Sequence, residues 1–486
     1  MQPMRLVCLL GVLGMCILAG AAELPQSTNS ATNPAAAVAV PLTENAALDY
    51  YQAIAVMGYS LPEGLDSKLL DSNTSPEEAL AGALKVAATT HKFRAALGEA
   101  MEEEHLVPSP VAAATQFPWP DDKYPFAREV RALHRGAARH FCDFGLPDVE
   151  LPFCGSYLDK LSQVGLHAAF QAKACMAQRD YDAAGTILAD ICQMSLHLSK
   201  HGGPEAMRGW AIFEFSAYEP MNQFLACWKV QHPLDEAAAS ALASRMAIIC
   251  QQQFDAEGYY KTESECLRRW LIRQVTDGWK QRSLEQKRQI VEECLLLTQL
   301  EGEPLVSLRS QLLADVNVFP RMAQAWTDRL VELSRRSAAL SEKPYGIVRQ
   351  EWAALDEDIR AQTAQFKKTG TGDSALVGLA GLDHAAAWIT SRANARLRLQ
   401  AIAAAAVAAK VRTGEFPANL RTLSVSFSGG LPIDPFTGGD FDYQIKDGAP
   451  VIQSSWSPAD PSEKKLMPVL NLGGLAPSAT KAAADE

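Results

Sequence analysis

The spacing of apolar residues between residue 43 and about residue 420 limits the fold of this chain more than any other feature. One face of a helix is marked by the apolar residues Ala184, Ile187, Leu188, Ile191 and Leu198. The same spacing continues through 234–255, 262–279, 283–299, 303–315 and 318–340. No stretch before about residue 420 alternates apolar and polar residues as a half-buried strand does. We therefore predict a mostly α-helical protein.

One predicted helix junction resembles those of tetratricopeptide-type helix pairs. Between residues 172 and 191 a helix of small residues ends at the run RDYDAA (residues 179–184), whose two alanines open the next helix. Only this junction is clear, and the chain has no regular period of about 34 residues. The prediction is an irregular helical array or bundle that is tetratricopeptide-like at most in part.

The N-terminus has the form of a secretory signal peptide. Arg5 precedes an apolar run of 15 residues from Leu6 to Gly20, and small residues follow. This run is short for a transmembrane helix. We predict a signal peptide over residues 1–22 and a mature chain, without a transmembrane segment, that is periplasmic or secreted. The alternatives are an uncleaved anchor or a lipid on Cys16, either of which would tether the start of the chain to the membrane.

Composition divides the rest of the chain into four segments. Residues 23–42 are small, polar and proline-containing, and we predict a flexible linker there. Residues 43–380 form the predicted helical domain. Residues 381–470 are predicted to form a long helix followed by a small α+β module, and residues 471–486 a disordered tail.

The order of signals after residue 395 predicts the C-terminal module. An alanine-rich helix ends at Gly414, and a turn rich in proline and glycine follows. Two short β-prone pieces, FDYQI and PVIQSSW, are joined at Lys446-Asp447-Gly448, which predicts a β-hairpin.

This order of parts resembles the C-terminal half of the major pseudopilins of type II secretion. The matching residues are Gly414, Phe416, Pro417, Leu420, Leu423, Leu431, Pro432, Asp434, Pro435, Phe436, Gly438 and Tyr443. The module and the RDYDAA junction together also resemble uncharacterised exported helical proteins of planctomycete type. The chain lacks the N-terminal assembly helix of a pseudopilin and its Gly-rich acidic calcium loop, so the resemblance implies neither pilin assembly nor a calcium site.

The stretch LPIDPFTGGDFDYQ (residues 431–444) is predicted to be a structural turn. Asp434 precedes a proline, which favours an extended backbone, and its carboxylate can accept hydrogen bonds within the turn. Phe436 would anchor the corner, and Gly438-Gly439 would allow the chain to reverse. The predicted turn residues are Asp434, Pro435, Phe436, Gly438 and Gly439.

Candidate chemistry is sparse. His197 and His201 lie four residues apart on one predicted helix face and are weak candidates for zinc ligands, but no third ligand is evident. The chain contains neither a G-x-S-x-G elbow nor a phosphate-binding loop in a βαβ context, so catalytic residues stay unknown and no cofactor is predicted. Export makes disulfides plausible, with Cys142 and Cys154 the most easily joined pair. The cysteines whose pairing the sequence leaves open are Cys142, Cys154, Cys175, Cys192, Cys227, Cys250, Cys266 and Cys294.

Charge and missing motifs narrow the function. The formal net charge is −11 and no dense basic patch is visible, which disfavours a nucleic-acid partner. The leading hypothesis is a non-enzymatic interaction or scaffold protein of the cell envelope with a protein partner. The alternative is an extracytoplasmic hydrolase that acts on glycan or peptide, suggested by the aromatic and acidic loop FPWPDDKYPF (residues 117–126).

Overall fold

The mostly helical architecture predicted from the sequence is confirmed. The computed structural model describes residues 45–56, 126–142, 159–200, 203–229, 234–276, 278–298, 300–376, 384–458 and 461–474. The first helices are α1 (Ala46–Val56), α2 (Ala127–Ala137), α3 (Asp159–Ala177), α4 (Tyr181–Ser199) and α5 (Gly203–Ile212). A π-helix, Phe213–Tyr218, then continues into α6 (Glu219–Ala226). The next are α7 (Glu236–Ile249), α8 (Ala256–Thr276), α9 (Leu284–Leu297), α10 (Gly302–Ala314), α11 (Phe319–Ser341), α12 (Arg349–Thr369) and α13 (Ala385–Thr413).

Helix α4 is the central element of the first half of the described structure. All of its residues are buried except Asp182 and Thr186. It packs against α2, α3, α5, α6 and α7. The junction predicted between α3 and α4 is a short turn in which Asp180 caps α4, its carboxylate accepting from the Ala183 amide at 3.3 Å. The cap satisfies one of the amides that a helix leaves unpaired at its start.

The periodicity located α9, α10 and α11 to within about two residues, whereas α8 begins six residues before the predicted stretch 262–279. The predicted stretch 283–299 contains α9, which begins at a capping box formed by Ser283 and Gln286. The stretch 234–255 contains α7, but this helix stops at residue 249 and the segment up to α8 is irregular. Helices α8 and α11 form the main packing pair of the second half.

The C-terminal module contains the predicted hairpin and one further strand. Strands β1 (Asp442–Lys446) and β2 (Ala449–Gln453) pair antiparallel, and β3 (Val469–Asn471) adds to the other edge of β2. The hairpin turn at Asp447-Gly448 has positive φ at both residues, which matches the twist of the strands. Helix α13 packs against α7 and also contacts β2 and β3, so it connects the module to the helical core.

Several predictions concern residues outside the described ranges. They are the signal peptide, the linker, the loop at 117–126 apart from Phe126, His201 and Cys154. In the predicted tail, the described chain reaches residue 474, and Leu472 is buried with its amide donating to the Pro450 carbonyl at 2.9 Å. Among the described helices, none combines the length and the apolar character needed to cross a bilayer.

Candidate functional site

A row of polar side chains interrupts the apolar surface of α4. Asp190, Gln193 and His197 lie three and four residues apart, on one face of a helix that is buried on nearly all sides. A buried polar group costs free energy unless it is hydrogen-bonded, so each of these side chains requires partners from neighbouring helices. The partners come from α1, α2, α7 and the turn that follows α7, and the row forms the base of a polar site.

Asp190 is the fully buried anion of this site. His134 of α2 lies with Nδ1 2.8 Å from Asp190 Oδ2, and Arg245 of α7 donates from Nη2 to Oδ1. Burial alone would raise the pKa of Asp190, but the charges and hydrogen bonds of Arg245 and His134 outweigh it and hold the pKa below its usual range. Arg245 also donates to the Thr186 carbonyl at 3.2 Å, which fixes the orientation of its guanidinium group.

His197 continues the polar network along α4. The amide nitrogen of Gln193 lies 2.9 Å from His197 Nε2, and the Tyr50 hydroxyl lies 2.7 Å from Nδ1. Gln193 exchanges hydrogen bonds with Gln252, and Lys200 donates to the same Gln252 amide at 2.8 Å. Burial and the nearby Cys142, Asp190 and Asp49 raise the pKa of Tyr50, so this hydroxyl stays protonated at neutral pH.

A second carboxylate anchors basic side chains on α2 and just after its C-terminal end. Asp49 of α1 is buried and accepts from Arg135 Nε at 3.1 Å on one oxygen and from Arg139 Nε on the other. Arg135 also donates to Gln52. Both arginines are therefore held by Asp49. Arg135 belongs to α2, as His134 does, and Arg139 follows the C-terminal end of that helix.

These elements enclose a cleft of about 540 Å³. Its charged and titratable lining consists of His134, Arg139, His140, Lys200 and Arg245. The remaining lining residues are Ala137, Ala138, Thr186, Gln193, Ile248, Ile249 and Gln252. Among the described residues that line the cleft, none is acidic. The cleft is therefore a local basic site in a chain whose net charge is −11.

The predicted turn lies elsewhere, at the base of the C-terminal module. Asp434 is fully buried, and its Oδ1 accepts from the Phe436 amide at 3.0 Å. Its Oδ2 accepts from the Ser454 hydroxyl at 2.7 Å and the Ser455 amide at 3.0 Å, with longer contacts to the hydroxyls of Thr437 and Ser455. All of these donors belong to the C-terminal module, so the Asp434 carboxylate has a structural role.

The same turn attaches the module to the helical region. The amides of Tyr345 and Gly346 donate to the carbonyls of Pro435 and Phe436 at 3.3 and 2.9 Å. Any side chain at Gly346 would collide with the Phe436 carbonyl. Around this contact, aromatic rings pack edge to face, and the rings of Phe436 and Trp456 stack with centroids 5.2 Å apart. Gly438, at φ +74°, completes the reversal, while Gly439 accepts from the Asp434 amide at 2.7 Å.

The histidine pair predicted as a zinc site is only half described. His197 is described, and both of its ring nitrogens have the partners given above; His201 lies outside the described ranges. Within those ranges, no three His, Cys, Asp or Glu side chains converge as metal ligands would.

Among the described cysteines, Cys192, Cys227, Cys250 and Cys294 are buried and carry no disulfide. Burial raises the pKa of Cys192 and Cys294 to about 12, and that of Cys227 and Cys250 to about 11. These thiols therefore act as small apolar core residues.

Sequence reasoning did not find the basic cleft. Its residues come from three helices and the turns that follow them and span positions 134 to 252, so no local motif contains them. The available signal was the set Asp190, Gln193 and His197 in a mostly apolar helix, since polar residues on a buried face need partners. Comparison with protein-family models, curated proteins and solved structures finds no match for this chain.

Proposed function

We propose that this protein is exported and acts as a non-enzymatic interaction protein of the cell envelope, and that the basic cleft binds an anionic group of its ligand. The observation that carries the proposal is the cleft lining, in which basic side chains converge without an acidic one among the described lining residues. A site with one sign of charge in an oppositely charged protein concentrates ligands of the other sign.

The arginine side chains of the cleft are also preorganised for binding. Arg139 and Arg245 are each fixed by a buried carboxylate, Asp49 and Asp190 respectively. A side chain already held in place loses little rotamer entropy when it binds, which favours affinity. This arrangement supports binding and requires no chemical step.

Titration calorimetry of the purified chain with acetate, sulfate and a glutamate-rich peptide tests the proposal. We expect at least one of these anions to bind, with an affinity that falls as salt is added. Lys200→Gln should weaken binding about tenfold, because Lys200 lines the cleft and is exposed enough to replace without disturbing the core.

Lys367→Gln is the matched control, because Lys367 is an exposed lysine of α12, a helix that does not line the cleft. Equal weakening by both variants, or binding of none of the anions, would refute the proposal.

A hydrolase that acts on glycan or peptide is the second candidate. It is supported by a second cavity of about 280 Å³, between the start of α8, the α11–α12 connection and the turn at Asp434. Asp255, Glu257 and Glu342 are among its lining residues, and pairs of carboxylates perform glycoside hydrolysis. Release of reducing sugars from cell-wall glycan, abolished by Glu342→Gln, would establish this candidate; no release by the wild-type chain would remove the glycan case.

A further inference from the structure

Arg139 and Arg245 of the cleft have N–H groups beyond those used in the hydrogen bonds described above. Arg139 uses Nε on Asp49, and the described residues offer no partner to its terminal nitrogens. Arg245 gives one hydrogen bond to Asp190 and one to the Thr186 carbonyl, out of five N–H groups. A guanidinium with two adjacent N–H groups matches the spacing of two oxygens on one anion.

The net charge of the basic side chains at the cleft and of the carboxylates that hold them favours one kind of oxyanion over others. Arg139, Lys200 and Arg245 are the permanent cations that line the cleft. Behind them lie the carboxylates of Asp49 and Asp190 and a fourth cation, Arg135, which contacts Asp49 and does not line the cleft. With neutral histidines the sum is 4 − 2 = +2. A phosphate monoester carries a charge of about −1.5 to −2 at neutral pH, whereas a carboxylate or a phosphodiester carries about −1. The monoester matches the cluster best.

The rest of the lining indicates an organic group beside the phosphate. A cleft of about 540 Å³ is far larger than a single phosphate and lies in the range of small-molecule sites. Ile248, 64% exposed, and Ile249 provide an apolar wall. Burial of that wall by an apolar group would add to the affinity.

We infer that the cleft is a receptor for a phosphate monoester attached to an apolar or aromatic group. This inference rests on the proposed function, since it names the anion that the cleft binds. Arg139, Lys200 and Arg245 contact the phosphate oxygens, and Ile248 contacts the organic part. The same chemistry occurs in soluble phosphorylated molecules and in the headgroup of phosphatidic acid.

Calorimetry in phosphate-free buffer with phenyl phosphate, benzoate and inorganic phosphate tests the inference on the whole purified chain. Phenyl phosphate should bind at least about tenfold more tightly than benzoate, which has the same ring and one charge fewer. Arg139→Gln should weaken phenyl phosphate about tenfold while Asp49 keeps Arg135 as its partner. Ile248→Ser should weaken phenyl phosphate and leave inorganic phosphate unchanged, and Lys367→Gln should change neither.

Vesicles of phosphatidylcholine with and without phosphatidic acid distinguish the two sources. If phosphatidic acid vesicles displace phenyl phosphate, the inference is supported with a lipid as the ligand. If phenyl phosphate binds and the vesicles do not displace it, the inference is supported with a soluble ligand.

If benzoate or the acidic peptide binds as tightly as phenyl phosphate, the inference is overturned while the proposed function stands. If no anion binds, both fail. Circular dichroism of each variant shows whether its fold is intact.

Discussion

Replacing Asp434 tests the claim that one buried carboxylate holds the C-terminal module together. Asp434→Ala removes the acceptor of two backbone amides, those of Phe436 and Ser455, which have no other acceptor among the described residues. The hydroxyls of Ser454, Thr437 and Ser455 lose the same acceptor, but they can rotate toward others.

The size of the effect follows from these two amides. A buried donor such as the Phe436 amide costs about 1–3 kcal/mol when left unpaired, and the Ser455 amide, which is only partly buried, costs less, so the two give at most about 2–6 kcal/mol. The buried carboxylate disappears together with its own desolvation cost, so we expect the lower half of that range, about 2–4 kcal/mol of unfolding free energy. Asp434→Asn should cost a similar amount, because its amide group would direct N–H groups at hydrogen-bond donors.

Urea unfolding followed by tryptophan fluorescence measures this change, since Trp456 and Trp388 lie in the aromatic cluster that the turn supports. Asp442→Ala is the matched control, because Asp442 belongs to the same module but is exposed on β1. If Asp434→Ala unfolds at the same urea concentration as Asp442→Ala, the carboxylate does not organise the turn and the reasoning is wrong.

Three further predictions concern the helical region. Arg245→Met should lower the unfolding free energy by about 3–5 kcal/mol, because Asp190 stays buried with only His134 beside it, and urea titration at neutral pH would show it. The pKa of Asp190 in the folded chain is below its unfolded value of about 3.9. The free energy of unfolding that its ionised carboxylate contributes is therefore fully present above about pH 3.9 and is lost as the pH falls through the folded-state pKa. Acid unfolding of the wild type should therefore begin below about pH 4, and that of Arg245→Met at a higher pH; identical acid profiles would contradict this assignment. The thiols that should resist a disulfide reagent at about pH 8 until the chain is unfolded are Cys192, Cys227, Cys250 and Cys294.

The local parts of the fold could be predicted, because their causes lie within a few residues. Helical spacing located α9 and α11 within a few residues, and Lys446-Asp447-Gly448 predicted the hairpin turn. Strand β3 was missed because it has only three residues and exists through pairing with β2, which lies 16 or more residues earlier.

The cleft could not be predicted, because its geometry depends on how α2, α4 and α7 pack. The His134–Asp190 and Arg245–Asp190 contacts join residues 56 and 55 positions apart, and no local sequence pattern predicts which of these residues pair. His197 was singled out for a four-residue spacing to His201, whereas its described partners are Tyr50 and Gln193. Tertiary contacts decide the role of such a residue, and local spacing does not.

The burial of α4 has a consequence for the cooperativity of folding. In a solenoid each repeat contacts only its neighbours, so its ends can unravel while its middle stays folded. Helix α4 packs against α2, α3, α5, α6, α7 and the π-helix Phe213–Tyr218, and it is buried along almost its whole length. Detaching any one of them uncovers part of the same apolar helix, so partial unfolding gains little entropy for a large loss of burial. These helices should therefore unfold together in one transition, as a bundle does.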